Sequence, residues 1–278
     1  MKITFLGAGV FGSALAKIAE ENGHTIKFYD PYKYPDISLN DATNGSDLNV
    51  FTAPSTAAKD ILPDLDRETP LICASKGFLS LTPFKDFKDF SALGGAGFAE
   101  EIKKTESNNE YKTSSITKTI TFTTSSETAE NVFSTENIHL EYTKDTLGIM
   151  LCGALKNVFA LGAGLYGESD STAAPMSYLE TAISEMRQIL AENHADPETL
   201  RLSCGAADLV LSCTENSRNF RYGQNLKESA PNNSNTHTTV EGLSIINSLE
   251  DYPEFTIPEN ANLLKDIVNT VKEKNATK

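Results

Sequence analysis

The sequence predicts an α/β protein: a doubly wound, parallel sheet in the N-terminal part, followed by an all-α C-terminal part. Three observations predict it. The chain opens with a β-rich run, a glycine turn and a helix-like run in immediate succession. β-type and helix-type runs then alternate, the pattern of parallel strands joined by crossover helices. At about residue 143 the composition changes, and helical periodicity dominates from there to the C-terminus.

Length and composition narrow the function classes. The 278 residues, 39% of them hydrophobic, suffice for one large or two ordinary cores. The net charge of −14 argues against a general affinity for nucleic acid or anionic membranes, while leaving room for a local cation cluster that binds a small anion. Cys73, Cys152, Cys204 and Cys213 lie in apolar runs with no CxxC spacing and no nearby histidine. They read as buried reduced thiols, which fits a cytoplasmic protein with no metal site. Lys2, the apolar run to Leu15 and the Ala14-Leu15-Ala16 triplet imitate a secretory signal. The same residues are better explained as a strand, a glycine turn and the start of a helix.

Lys2–Leu6 (KITFL) reads as the first strand, and Gly7-Ala8-Gly9-Val10-Phe11-Gly12 follows at once, opening the helix SALAKIAEENG. This is the context a dinucleotide fingerprint requires. The first glycine permits the turn, the second lets backbone approach a pyrophosphate, and the third allows close helix–strand packing. The helix start then offers unpaired N–H groups to an anion. Thr25–Tyr29 is the second strand and ends on Asp30. A carboxylate there can accept the ribose 2′-hydroxyl and repel a 2′-phosphate, favouring NAD over NADP. Asp30-Pro31 is equally a turn opening, and the two uses stay open. Residues 36–46 are short and polar; 48–53 and 71–74 read as buried strands with a short helix, AAKDILPDL, between them. Lys76 follows the second of these, at the carboxyl edge where such sheets bind ligands, and otherwise reads as an exposed loop lysine. Residues 94–101 (GGAGFAEE) form another glycine-rich turn entering a helix. Residues 105–137 are rich in Thr, Ser and Asn, with an alternating strand-like core, SITKTITFTT; 127–133 is helical and Ile138–Tyr142 is the last strand.

Helical patterns then cover the lysine helix of residues 147–167 and residues 176–193, 197–213 and 258–273. In LGIMLCGALKNVFALGAGLYG, Leu147, Leu151, Leu155, Val158 and Leu161 recur at three- and four-residue steps and Lys156 is the only charge. The run is long enough for a bilayer, but a central Lys-Asn pair and five glycines make it a poor span. An isolated ammonium in such surroundings costs several kcal/mol of hydration. Lys156 is therefore either a snorkelling side chain whose head reaches water or one carboxylate or a proton-handling group at a cleft, and the adjacent Asn157 points to a helix passing beside a ligand. Asp208, also in an apolar run, is the obvious partner for Lys156. Ser217, Arg218 and Asn219 offer donors suited to a phosphate, or else form a solvated loop. Residues 225–239 read as a mobile loop, leading into Val240-Glu241-Gly242 and a short helix.

The stretches GAGVFGSALA, ASKG, FAEEI, GALKNVFALGAGL, ADLVLSCTENSRNFRYG and VEG, in that order across residues 7–242, resemble the bacterial-type NAD(P)-dependent glycerol-3-phosphate dehydrogenases. The resemblance implies a Rossmann-type dinucleotide-binding domain over 1–143, a helical substrate and catalytic domain over 144–278, and an active site between them. It further implies interconversion of dihydroxyacetone phosphate and sn-glycerol 3-phosphate, in support of phospholipid synthesis, by a homodimer. By position, Lys156 is the implied acid/base and Asp208 its partner. Gly7, Gly9, Phe11, Gly12, Asp30, Lys76, Ala99, Arg218 and Glu241 are implied at the NAD or NADP cofactor. Lys76, Gly95, Lys156, Asp208, Ser217, Arg218 and Asn219 are implied at the substrate. The chain departs from the family pattern at Phe11, usually tryptophan; at Ala96-Gly97, usually proline and a polar residue; in a shortened segment between Asp30 and Asn49; and in a loop before Ser217 that is shorter by about one residue, judged against that pattern. A non-catalytic nucleotide-binding relative, and a related two-domain dehydrogenase for another small hydroxyacid, are the competing readings.

Overall fold

The computed structural model describes residues 1–97, 120–166, 173–227 and 239–276. The chain divides into two compact units. One comprises Met1–Ser75 and Leu81–Thr146; the other comprises Lys76–Ser80 and Leu147–Lys278.

Among the described residues, the first unit is built on a seven-stranded sheet of order β2-β1-β3-β4-β5-β6-β7, with β1 at Lys2–Leu6, β2 at Thr25–Tyr29, β3 at Leu48–Phe51, β4 at Leu71–Cys73, β5 at Phe90–Gly95, β6 at Ile120–Thr124 and β7 at Ile138–Tyr142. Strands β1 to β5 pair in parallel, with Phe5 opposite Phe28 on one side and Val50 on the other. Helix α1 (Val10–Glu21) covers the sheet through Leu15, Ile18 and Ala19, and α4 (Ala129–Phe133) adds Val132 and Phe133 to the same core. Asn22 ties the two helices by donating its amide to the carbonyls of Val132 and Ser134. Two further short helices, α2 (Leu39–Thr43) and α3 (Ala58–Ile61), complete the crossovers.

Two expectations are corrected here. The sheet is not wholly parallel, because β6 runs antiparallel to β5, and β7, parallel to β6, keeps that reversed direction. The glycines at 94 and 95 are also strand rather than turn. Gly95 has φ +148, and a Cβ there would lie 2.7 Å from the Thr121 carbonyl oxygen. Only glycine lets β6 come this close. The helix expected to follow, with Ala99 in it, and the expected strand before residue 120 lie outside the described residues.

The described part of the second unit is helical throughout. Helix α5 (Thr146–Tyr166) is long and apolar enough to cross a membrane, yet 94% of that window is buried inside the fold, so it is the core helix of its unit. Around it lie α6 (Ala173–Glu192), α7 (Asp208–Ser212), α8 (Arg218–Lys227), α9 (Glu241–Asn247) and α10 (Asn262–Ala276). Helices α5 and α8 cross backbone to backbone: a Cβ on Gly164 would lie 2.0 Å from the Phe220 carbonyl oxygen, and one on Gly223 would lie 2.0 Å from that of Leu161. The buried Glu185 carboxylate of α6 accepts the N–H groups of Leu263 (2.7 Å) and Leu264 (2.9 Å), which anchors the start of α10. Residues 197–213 form three pieces instead of one helix. A 3-10 turn, Pro197–Arg201, and a wide turn, Ser203–Ala207, precede α7, because Gly205 leaves helical geometry at ψ −114 and packs where a Cβ would meet the Leu200 carbonyl at 2.2 Å. The break makes Asp208 the first residue of a new helix. Residues 228–238 of the expected mobile loop lie outside the described residues; the rest of the segment 225–239 begins as the end of α8.

Candidate active site

In the second unit a group of polar side chains meets at one buried carboxylate. Asp208, 2% exposed, accepts the Lys156 ammonium on Oδ1 at 2.7 Å and the Lys76 ammonium on Oδ2 at 2.8 Å. Lys156, 6% exposed on α5, also donates to Ser212 Oγ at 2.8 Å, one helical turn beyond Asp208 on α7. Two cations share one anion, so the cluster carries a net positive charge in low-dielectric surroundings. Burial is the largest influence on Lys156 and lowers its pKa from 10.5 to about 8; Asp208 opposes the shift and the Lys76 charge adds to it. The group is thus poised to exchange a proton near neutral pH. Lys76, which the sequence left between an anion contact and an exposed loop, is in the cluster because Lys76–Ser80 packs as part of this unit. Ser212 is a component that sequence reasoning missed. Its spacing of four from Asp208 on a helix was the available signal.

A chain of amides holds the cluster in place. Asn157 donates to the backbone carbonyls of Lys76 (2.9 Å) and Gly153 (3.1 Å), and its Oδ1 accepts from Asn219 Nδ2 at 2.8 Å. Asn219 Oδ1 in turn accepts the Gly242 N–H at 2.9 Å. Asn157, read from sequence as a sign of a nearby ligand, therefore spends its donors and its oxygen inside the protein, fixing Lys76 relative to α5. A Cβ on Gly242 would lie 2.5 Å from the Asn157 carbonyl oxygen, so glycine is required for α9 to reach Asn219. Ser217 and Asn219 are buried, while Arg218 is exposed at the start of α8. Glu241 opens α9.

In the first unit, the glycine loop has the form a dinucleotide needs. Gly7 has φ +113, and a Cβ on it would lie 2.5 Å from Ala53 N; a Cβ on Gly12 would lie 2.6 Å from the Gly7 carbonyl oxygen. Gly9 is different. A Cβ there would meet nothing within 4 Å, and Gly9 caps α1 with no side-chain hydrogen bond and no acidic residue in the first turn. The helix start is open to an anion. Phe11 packs edge-on against Phe122. Asp30 braces the loop: Oδ2 accepts Ala8 N–H at 2.9 Å, while Oδ1 accepts the N–H groups of Tyr32 (3.0 Å) and Lys33 (3.1 Å). Gly95 lies in the strand pairing described above. Among the described residues, no cluster of His, Cys, Asp and Glu could hold a metal, and all four cysteines are free thiols.

Residues 145–277, which hold the lysine cluster apart from Lys76, match the family of NAD-dependent glycerol-3-phosphate dehydrogenase C-termini. Relatives from many bacteria extend the match into the first unit. The chain is thus similar, over most of its length, to NAD(P)-dependent glycerol-3-phosphate dehydrogenases. Among these relatives, the glycerol-3-phosphate dehydrogenase (NAD(P)+) of Oceanobacillus iheyensis is 28% identical, the alignment covering 80% of this chain and 75% of the relative. A counterpart in Lactobacillus delbrueckii subsp. bulgaricus is 24% identical over 98% of this chain and 94% of its own length. The crystal structure of glycerol-3-phosphate dehydrogenase from Coxiella burnetii superposes with a TM-score of 0.78 at 19% identity, covering 98% of both chains, which places the fold with that of the glycerol-3-phosphate dehydrogenases.

Proposed function

We propose that the protein interconverts dihydroxyacetone phosphate and sn-glycerol 3-phosphate with NAD(H) or NADP(H), supplying glycerol phosphate for phospholipid synthesis, and that Lys156 is its acid/base. The observation that carries this reading is the buried Lys156–Asp208–Lys76 cluster in a chain similar to these dehydrogenases. When bound, the nicotinamide cofactor supplies a hydride to the carbonyl carbon. Negative charge then develops on the carbonyl oxygen, and the Lys156 ammonium donates the proton that neutralises it. In the reverse direction neutral Lys156 accepts the hydroxyl proton. Asp208 orients the ammonium and keeps its pKa from falling below a useful value. Lys76 adds positive charge beside the developing oxyanion and contacts cofactor as well as substrate.

The phosphate of the substrate is assigned to Arg218 and Ser217, with Asn219 as a contact whose amide is pre-oriented by Asn157 and Gly242. Arg218 is also assigned to the cofactor. The dinucleotide is assigned to Gly7, Gly9, Phe11 and Gly12 of residues 1–143, in a loop that Asp30 holds through the Ala8 N–H, with Ala99 and Glu241 as further contacts. Residues 144–278 supply most of the catalytic and substrate groups, and Gly95 is a substrate contact by its place in the family pattern. The same reading has the enzyme working as a cytoplasmic homodimer, which sedimentation of the purified chain checks.

The test is the initial rate of NADH and NADPH oxidation with dihydroxyacetone phosphate, repeated with Lys156→Ala. Turnover that falls by about 10³-fold in the variant, with dinucleotide binding unchanged, is the expected result. A folded protein that binds either dinucleotide but turns over with neither would remove the assignment.

A further inference from the structure

The sequence favours NAD through Asp30, yet the geometry at the end of β2 gives that carboxylate other work. An ionised carboxylate has about four acceptor sites, and three backbone N–H groups, of Ala8, Tyr32 and Lys33, occupy Asp30. A ribose diol would find little of it left. The same turn brings a cation to the loop: Lys33 Nζ donates to the Ala8 carbonyl oxygen. Ala8 therefore holds Asp30 through its N–H and Lys33 through its C=O, so the negative charge that would repel a phosphate is offset beside it.

Two features leave this ammonium available to a ligand. Lys33 is exposed, so two of its three donors are not engaged with Ala8. The Ala8 carbonyl also accepts Ser13 Oγ at 3.1 Å, so it stays paired when Lys33 turns to another acceptor, and release costs no unsatisfied buried group. Building on the dinucleotide assignment above, we infer that Lys33 binds the adenosine 2′-phosphate and that this site takes a 2′-phosphorylated adenosine in preference to a 2′-hydroxyl. Asp30 is then the brace that presents the lysine.

The test is a calorimetric titration of the full chain at low salt with adenosine 2′,5′-bisphosphate and, separately, with 5′-AMP, so that no turnover is needed. The unsubstituted protein is expected to bind the bisphosphate about tenfold more tightly than 5′-AMP, the value of one charge-assisted contact. Lys33→Gln removes that advantage and leaves 5′-AMP binding unchanged, while Lys33→Arg retains it. Equal or weaker binding of the bisphosphate by the unsubstituted protein, or an advantage that survives in Lys33→Gln, overturns the inference. Failure to bind either nucleotide overturns it together with the dinucleotide assignment, so the two failures are distinguishable.

Discussion

The tripeptide Gly-Ala-Gly stands at residues 7–9 after β1 and again at 162–164 inside α5, and the two copies do opposite things. In the helix, every space a side chain would take is filled: a Cβ on Gly162 would lie 2.3 Å from Ile267 Cδ1, and one on Gly164 would lie 2.0 Å from the Phe220 carbonyl. In the loop, Gly7 is filled by the β3 end but Gly9 faces nothing within 4 Å. A third copy, at 95–97, is of the filled kind, set against Thr121 and Ile120. A glycine motif thus marks close approach in general, and what approaches is decided by the surroundings. At Gly9 the space stays open, while in α5, the helix that carries the buried Lys156, it is taken by neighbouring helices.

The strongest way to break this contrast is at the sealed charge. Asp208→Asn leaves two ammonium groups facing each other without an anion. Since the carboxylate raises the Lys156 pKa, its loss lowers that pKa further below about 8. The rate of carbonyl reduction is expected to fall about 100-fold and its decline with rising pH to begin at a lower pH, both read from rate profiles of the purified variant. An unshifted profile would remove Asp208 from its role.

Alanine at the two kinds of glycine sharpens the comparison directly. Gly164→Ala forces a methyl into the backbone of α8 and is expected to cost about 3 kcal/mol of stability, measured by urea unfolding. Gly9→Ala is expected to change stability by no more than about 0.5 kcal/mol while weakening dinucleotide binding by about tenfold, measured by titration. If Gly9→Ala were the destabilising one, the loop would be a packing device like the helix. The smallest effect is expected from Ser212→Ala, which deletes one hydrogen bond to Lys156. About 1 kcal/mol corresponds to a few-fold loss of rate with no change in dinucleotide affinity.

Much of this was legible in the sequence where the physics is local. β1, β2 and β7 are bounded by their own β-rich runs, and Lys156 stands out because a charge in an apolar helix needs a partner, which Asp208 supplies. Less was legible where distant chain segments decide. Gly94-Gly95 reads as a turn because glycine breaks strands by itself; here it permits β5 to pair with β6. Residues 197–213 read as one helix because their apolar period is continuous, yet contact between Gly205 and Leu200 breaks it. Lys76 joins the cluster through the packing of five residues, Lys76–Ser80, with the helical unit, and no pattern in those residues announces it. Asp30 reads as either a ribose contact or a turn opening from its position after β2, and the three N–H groups on its oxygens are brought together only by the folded turn.

The central claim, that a buried lysine with a pKa lowered to about 8 exchanges the proton, is tested most directly by kcat against pH in both directions. Reduction of dihydroxyacetone phosphate needs the protonated lysine and is expected to fall as pH rises through about 8. Oxidation of glycerol 3-phosphate needs the neutral amine and is expected to rise through the same pH. Opposite limbs sharing that midpoint are the predicted result; rates that stay flat between about pH 7 and 9 in both directions would contradict it.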